Sequence, residues 1–407
     1  NAELTEGGLH YDSMSATVED VHMHIAASNT TGLIKDTQIS LNKVHMRLDD
    51  NQLTGFAHVR GLDEMKVDAD LHLALDLADL ERLFPADSIQ VAGNLNIDIR
   101  SKGILQKSAG KFPATEANLT LKNGYLLSLA YPEAIEQMFL TARLVNRQGT
   151  IKDTELNISR CTYQFEEEPF EVSGRVSDFE VWNYDLKVHG LLDLAKFTKI
   201  VPVKGLFMQG LVDVNVETTG RVSDLEAGQY GATTTTGTVE VTNLLLTGYA
   251  IPRPIQIVDA HFNLTPKVIT MDRMLGRFGK SRFTMTGDLT NYLSFVTSNR
   301  DLIKGDLKLT CDTLYVSELV PVTDSTAIAA KGGYQIIPVP GNIDFTFDSD
   351  IRNVIYEDIH ISKLDGEVRI HDQVLSMHEA GFNSLGAAFN LRGDYDTRDL
   401  KHPKFDF

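Results

Sequence analysis

The residue groups in this chain that could do chemistry each fall short of a working set. Gly279-Lys280-Ser281 ends like a phosphate-binding loop, but the position that should hold the earlier glycine is Met274. Gly381-Phe382-Asn383-Ser384-Leu385-Gly386 resembles a nucleophile elbow with one residue too many, and no helical pattern follows it. His378-Glu379 lacks the second histidine of a zinc-protease helix, and His22 and His24, on one face of a strand, are too few ligands for a closed zinc site. Asp68, Asp70 and Asp76 come nearest to the paired acids of glycoside hydrolysis. They alternate with an apolar row, however, and read as the solvated face of a strand. Glu166-Glu167-Glu168 reads as a charged hairpin tip. The expectation is a protein with no catalytic residues, no metal and no cofactor.

The elements that carry these residues are strands. Val67, Ala69, Leu71, Leu73, Leu75 and Leu77 alternate with Asp68, Asp70, His72, Ala74 and Asp76. Leu95, Ile97 and Ile99 alternate with Asn94, Asn96 and Asp98, and Val212, Val214 and Val216 with Asp213, Asn215 and Glu217. Ile343, Phe345 and Phe347 alternate with Asp344, Thr346 and Asp348. A period of two means strands with one apolar and one wet face. Turn signals stand at Lys122-Asn123-Gly124, Arg147-Gln148-Gly149 and Leu364-Asp365-Gly366. Short helices are expected over Asp76 to Phe84, Asp193 to Val201, Thr313 to Val320 and Glu133 to Phe139. The first three have an Asp or Thr near the start that can cap the helix, and a proline that ends it.

A long repeat organises these strands. Ala57-His58-Val59-Arg60-Gly61, Phe170-Glu171-Val172-Ser173-Gly174, Phe283-Thr284-Met285-Thr286-Gly287 and Phe389-Asn390-Leu391-Arg392-Gly393 close on glycines that step by 113, 113 and 106 residues. Three units run on to Pro85, Pro202 and Pro321. The units are read as a partial first unit at 1–61, repeats at 62–174 and 175–287, a shortened repeat at 288–393, and the start of a further unit at 394–407. A fourth unit cut before its proline suggests a piece of a longer array. Such a piece would expose a sheet edge near Phe405–Phe407 prone to self-association.

Composition narrows the function. The 407 residues are 42% apolar, enough for a continuous core. A net charge of -18 argues against nucleic acid and against adhesion to anionic membrane surfaces. Cys161 and Cys311 fall at different points of their units and read as separate free thiols. No run approaches the length of apolar sequence that spans a bilayer, and no signal peptide opens the chain. A sheet of ~20 or more strands must twist, curl or fold on itself. The fold expected is therefore mainly β, an elongated, curled antiparallel sheet of about 110-residue units with short helices, forming a trough with an apolar inside.

The stretches Leu307–Pro321 (LKLTCDTLYVSELVP), Ile337–Met377 and Phe389–Asp396 (FNLRGDYD) resemble the AsmA-like family of bacterial envelope proteins, relatives of TamB and of the repeating-β-groove lipid-transfer proteins. Weaker similarity runs back to about residue 40. The resemblance implies a periplasmic protein whose parent is anchored in the inner membrane by an N-terminal helix absent here. It also implies a non-catalytic role in phospholipid transport or outer-membrane assembly. Its partners would be a phospholipid or other acyl-chain lipid and envelope membrane proteins. The candidate lining of the lipid groove is Leu71, Leu73, Leu75, Leu95, Ile97, Ile99, Val212, Val214, Val216, Leu307, Leu309, Ile343, Phe345 and Phe347. The competing expectation is a structural or adhesive β-repeat scaffold whose core is filled by its own side chains. Asp at Leu73, Val214 or Phe345 separates the two, because an unpaired charge unfolds a filled core.

Overall fold

The computed structural model describes residues 2–10, 17–62, 64–79, 89–128, 134–165, 168–200, 206–227, 233–248, 253–292, 302–319 and 336–407. The fold is mainly β, and the chain packs as two compact units, Asn1–Gly190 with Thr218–Ser223, and Leu191–Glu217 with Asp224–Phe407.

In the first unit β1 (Ala2–His10), β2 (Thr17–Ser28), β3 (Gln38–Leu48), β4 (Asn51–Arg60), β5 (Met65–Asp76) and β6 (Ile89–Leu105) run in chain order. They continue into β7 (Ala114–Ser128), β8 (Ile135–Asn146), β9 (Thr154–Phe165), β10 (Glu168–Ser177) and β11 (Asn183–Asp193). Each strand from β1 to β11 pairs antiparallel with the next, a simple meander.

The second unit holds the helix α1 (Leu194–Ile200), most of β12 (Leu206–Arg221), the short helix α2 (Val222–Glu226), β13 (Thr234–Gly248), β14 (Ile255–Leu264), β15 (Val268–Phe278) and β16 (Ser281–Thr290). It continues with β17 (Ile303–Tyr315), β18 (Ile343–Tyr356), β19 (Ile359–His371), β20 (Val374–Ser384), β21 (Ala387–Asp396) and β22 (Lys404–Asp406). From β13 onward neighbours again pair antiparallel, with one exception: β17 and β18 are parallel. A parallel joint needs a long return connection, and residues 316–342 supply it. This is the region where the sequence repeat shortens. The last part of the connection is tied down. Ile337 N–H donates to the Tyr395 hydroxyl at 3.2 Å, which donates to Ile337 O at 3.0 Å. Val339 N–H donates to Thr397 Oγ1 at 3.0 Å, and that hydroxyl, only 1% exposed, donates to Gln373 O at 2.9 Å.

Several local expectations are corrected. Lys122-Asn123-Gly124 is no hairpin turn but a bulge inside β7, with Asn123 at φ 51° and a register slip against β8. Leu364-Asp365-Gly366 likewise lies within β19, where the register against β20 slips twice. Asn or Asp before Gly tolerates left-handed backbone in either setting, so the residue types alone do not separate turn from bulge. Ile135–Phe139 belongs to β8, where pairing on both flanks overrides helical propensity. Thr313 is in β17, and only Val316–Leu319 forms a short 3-10 turn. By contrast Asp193 does cap a helix, accepting from Ala195 N–H at 2.9 Å ahead of α1. Asp76 accepts from Ala78 N–H at 2.9 Å where residues 77–79 turn helical. Pro85, Pro202, Pro321 and most of the Asp76–Phe84 segment lie outside the described residues.

Glycines of one backbone geometry recur along the chain. Gly55, Gly174 and Gly287 take φ of 133°, 137° and 134°. A β-carbon on them would stand 2.0, 2.1 and 2.2 Å from the main-chain oxygens of Asp70, Asp185 and Asp306 in the next strand. Gly61, the residue that sequence similarity aligns with them, lies beyond the end of β4. Gly55 is the equivalent position.

Candidate functional site

The cross-strand register gathers the alternating apolar residues into continuous rows. In the first unit one row runs Leu53, Leu73, Ile97, Leu119, Ala142, Ile158, Gly174 and Leu186 across β4 to β11. A second runs Gly55, Leu71, Ile99, Ala117, Leu144, Leu156, Val176 and Tyr184, and a third Leu75, Leu95, Leu121, Leu140, Cys161, Val172 and Val188. Leu71, Leu73, Leu75, Leu95, Ile97 and Ile99 are therefore direct cross-strand pairs on one face. All six are half-buried. A long aliphatic side chain on a sheet is shielded by its neighbours in the same sheet, and a second layer would bury it fully.

In the second unit Val212, Val214 and Val216 are half-buried, while Leu211, Asp213, Asn215 and Glu217 are exposed. A row runs Val239, Phe262, Met271, Gly287, Leu307, Phe347, Val368, Met377 and Gly393. Beside it lie Leu289, Gly305, Phe345, Ile370 and Leu375, and Ile303 pairs with Ile343. Here part of the face is closed. Leu307 and Cys311 are 4% exposed and Ile351 is 3% exposed. Cys311, Ile351 and Val354 form a buried cluster against Phe283, Leu309, Leu314 and Leu364. Phe345 meets Phe347 edge-on at 5.8 Å. The phenyl ring of Phe283 covers Gly276, where any β-carbon would meet it at 2.3 Å.

The opposite face is wet and charged. Lys102 pairs with Asp68 at 2.8 Å, Arg100 with Asp70 at 3.1 Å, and Arg143 with Glu116 at 2.8 Å. His72 Nδ1 lies 2.6 Å from Asp98. Exposed pairs of this kind add little stability, and Asp68 and Asp70 are both engaged in them. Each unit has a hollow. In the first unit one of about 490 Å³ is lined by Asp68, Asp70, Arg100, Lys102, Glu116 and Arg143 among others. In the second unit one of about 460 Å³ is lined by Val258, Leu275, Arg277, Arg282, Phe283 and Asp312 among others. Neither includes a member of the proposed apolar lining.

The remaining candidate groups have structural surroundings. Gly279 and Lys280 make the hairpin turn between β15 and β16, where Lys280 N–H donates to Glu318 at 2.6 Å. Leu385 and Gly386 make the turn between β20 and β21, and His378 and Glu379 sit in β20. Glu168 opens β10, while Glu166 and Glu167 lie outside the described residues. His22 and His45 flank Asp20 at 2.8 and 3.2 Å, and the hydrogen bond from His22 holds the Asp20 carboxyl below the usual carboxylate range. No cluster of metal-ligating side chains occurs among the described residues. Cys161 and Cys311 are free thiols. Burial pushes both up in pKa, away from the reactive thiolate. Among the described residues no helix is long and apolar enough to cross a membrane.

The register adds residues to the apolar face that alternation alone did not single out: Leu119, Leu121, Leu140, Leu144, Leu156 and Ile158 in the first unit. Their alternation is present in the sequence, but bulges interrupt it. No family model, curated protein or solved structure matches this chain.

Proposed function

We propose that this chain is a non-catalytic, lipid-handling surface of a bacterial periplasmic protein, serving phospholipid transport or outer-membrane assembly as in AsmA-like proteins. The observation that carries the reading is the row from Leu53 through Leu73 and Ile97 to Leu186, half-buried except at the buried Ala142, which crosses eight strands with no polar side chain in it. Burying an acyl CH₂ is worth about 0.8 kcal/mol, so a whole chain gains ~10 kcal/mol gross on a dry surface. The bilayer offers a similar gain, which makes the exchange nearly neutral. A carrier of this kind needs continuity and lack of discrimination, and a row of Leu, Ile, Ala and Gly provides both.

Native mass spectrometry of the gently purified chain, with solvent extraction and lipid analysis, tests this. Phospholipid in several stoichiometries is expected, and Leu73→Asp should remove it while leaving the protein folded. A lipid-free mass from a stable wild-type fold overturns the reading. The buried Cys311–Ile351–Val354 cluster favours a second reading for its own stretch, a scaffold filled by its own side chains. In that case Phe345→Asp unfolds the second unit, and no variant there affects lipid.

A further inference from the structure

We infer that the first unit docks on a bilayer of zwitterionic phospholipid through one end of its sheet. The contact is made by the loops that join β2 to β3, β4 to β5, β6 to β7, β8 to β9 and β10 to β11. Docking of this kind does not require the sheet itself to carry lipid.

In an antiparallel meander alternate connections share one end, so the loops 29–37, 61–64, 106–113, 147–153 and 178–182 form a single rim. Main-chain hydrogen bonds tie neighbouring loops and strand ends sideways. Gly61 N–H donates to Thr37 O at 2.7 Å, Phe112 N–H to Gly149 O at 3.0 Å, and Asp178 N–H to Thr154 O at 3.0 Å. Val222 N–H, in the same unit, donates to Trp182 O at 3.1 Å. These bonds hold the loops without help from their large apolar side chains, which stay in solvent: Leu33, Ile34, Leu62, Ile151 and Trp182 are between 42% and 59% exposed. At the opposite end of the sheet the β3–β4 turn is Asp49-Asp50.

The last loop is built around Trp182, the single tryptophan of the chain. The N–H groups of Val181 and Trp182 both donate to Asp178 O, at 3.0 and 2.7 Å. Trp182 takes φ 55°, a left-handed angle uncommon for a bulky residue. Its ring stacks on Phe179 at 4.5 Å with 15° between the planes. The turn thus carries a flat, exposed aromatic pair on the rim.

Spacing and charge specify the occupant. Successive loops are two strands apart, ~10 Å, and the five together span roughly 40 Å along the sheet. The large exposed apolar residues are therefore scattered singly or in pairs. A protein partner needs a contiguous, well-packed centre, whereas a bilayer interface accepts isolated side chains one at a time and is where tryptophan settles. The five loops hold five basic and six acidic residues, close to neutral in a chain of net charge -18. The rim thus escapes the repulsion that the rest of the chain meets at a membrane. Zwitterionic headgroups offer phosphate to the exposed Lys35, Lys111, Arg147 and Lys152, and a cation to the exposed Glu180.

Flotation of the full chain with phosphatidylcholine vesicles tests this, and Trp182 reports on the rim without interference from another tryptophan. The chain should float, its tryptophan emission should move to shorter wavelength, and lipid brominated on its acyl chains should quench it. Ile34→Ser combined with Ile151→Ser, both at exposed positions, should weaken partitioning by about tenfold or more and leave the circular dichroism spectrum unchanged. Lipid extracted before vesicles are added should be the same for both proteins, which separates this result from the test of lipid handling. A chain that does not float and whose emission does not move overturns the proposal. Binding confined to anionic vesicles and abolished by salt also overturns it. So does a dimer that the double variant dissociates, since a second copy then covers the rim.

Discussion

Leu71 and Leu307 occupy the same place in the same joint, each opposite a glycine of the preceding strand, yet their surroundings differ. Leu71 is flanked on its far side by Ile99 and stays half-buried; Leu307 is flanked by Phe347 and is 4% exposed. Both lie in an Asp-Leu-polar-Leu strand, so the strand's own pattern does not decide between open face and filled core. The neighbours decide it. Phe283, Phe345 and Phe347 bring aromatic volume to the β16–β18 region, where the first unit has Asn51, Ser101 and Ile99 at the corresponding positions. An alternating strand in this chain is therefore a scaffold that larger side chains can either close or leave open.

The contrast breaks most sharply under charge. Ile351→Asp should cost roughly 4 kcal/mol or more and unfold the second unit, because an unpaired carboxylate would sit in a closed cluster. Leu73→Asp should cost about 1 kcal/mol, since its side chain can still reach solvent. Urea unfolding of the two variants measures both, and equal losses would erase the distinction between the faces. Next in size, Gly55→Ala and Gly287→Ala should each cost about 2 kcal/mol, because the new methyl collides with a main-chain oxygen at a backbone angle that L residues avoid. If only Gly287 responded, Gly55 would not be its structural counterpart.

The smallest effect is at high pH. Burial pushes Tyr163 up to about 12 from a model-compound value of 10.0. Its folded value is raised, so the unfolded chain ionises first, and stability is lost as pH rises from about 10 towards about 12. Tyr163→Phe should remove that part of the alkaline loss and leave stability at neutral pH little changed. Thermal melts across that range check it.

The strand pattern and wet faces were readable because a period of two survives in each strand taken singly, as at 67–77 and 95–99. Asp193 was readable as a cap because the reason for it is local. The bulges were not, since Asn123-Gly124 and Asp365-Gly366 carry the same residues as a turn, and only the neighbouring strands decide the outcome. The displacement of the repeat from Gly61 to Gly55 was hidden for a related reason. What defines the position is contact with the Asp70–Leu71 peptide, and nothing in the five residues ending at Gly61 encodes that partner. Residues 133–139 carry a helical composition, but β7 and β9 claim Ile135–Phe139 from both sides. The apolar rows needed both levels: alternation supplied the members, and register alone put Leu73 beside Ile97 and Leu307 beside Phe347.

The parallel pairing of β17 with β18 has a consequence for the order in which the chain acquires its shape. The antiparallel joints described in both units link strands adjacent in sequence, so each can form soon after its second strand leaves the ribosome. The parallel joint must wait for residues 316–342 to be made and looped back, and loop closure carries an entropic cost before any contact offsets it. Synthesis should therefore advance strand by strand, pause in organisation at Tyr315, and resume once Ile337 and Val339 are held by Tyr395 and Thr397. Pulse-labelled hydrogen exchange during refolding should find the amides that bond across the β17–β18 joint protected after those of the β18–β19 hairpin, and the reverse order would contradict this sequence of events.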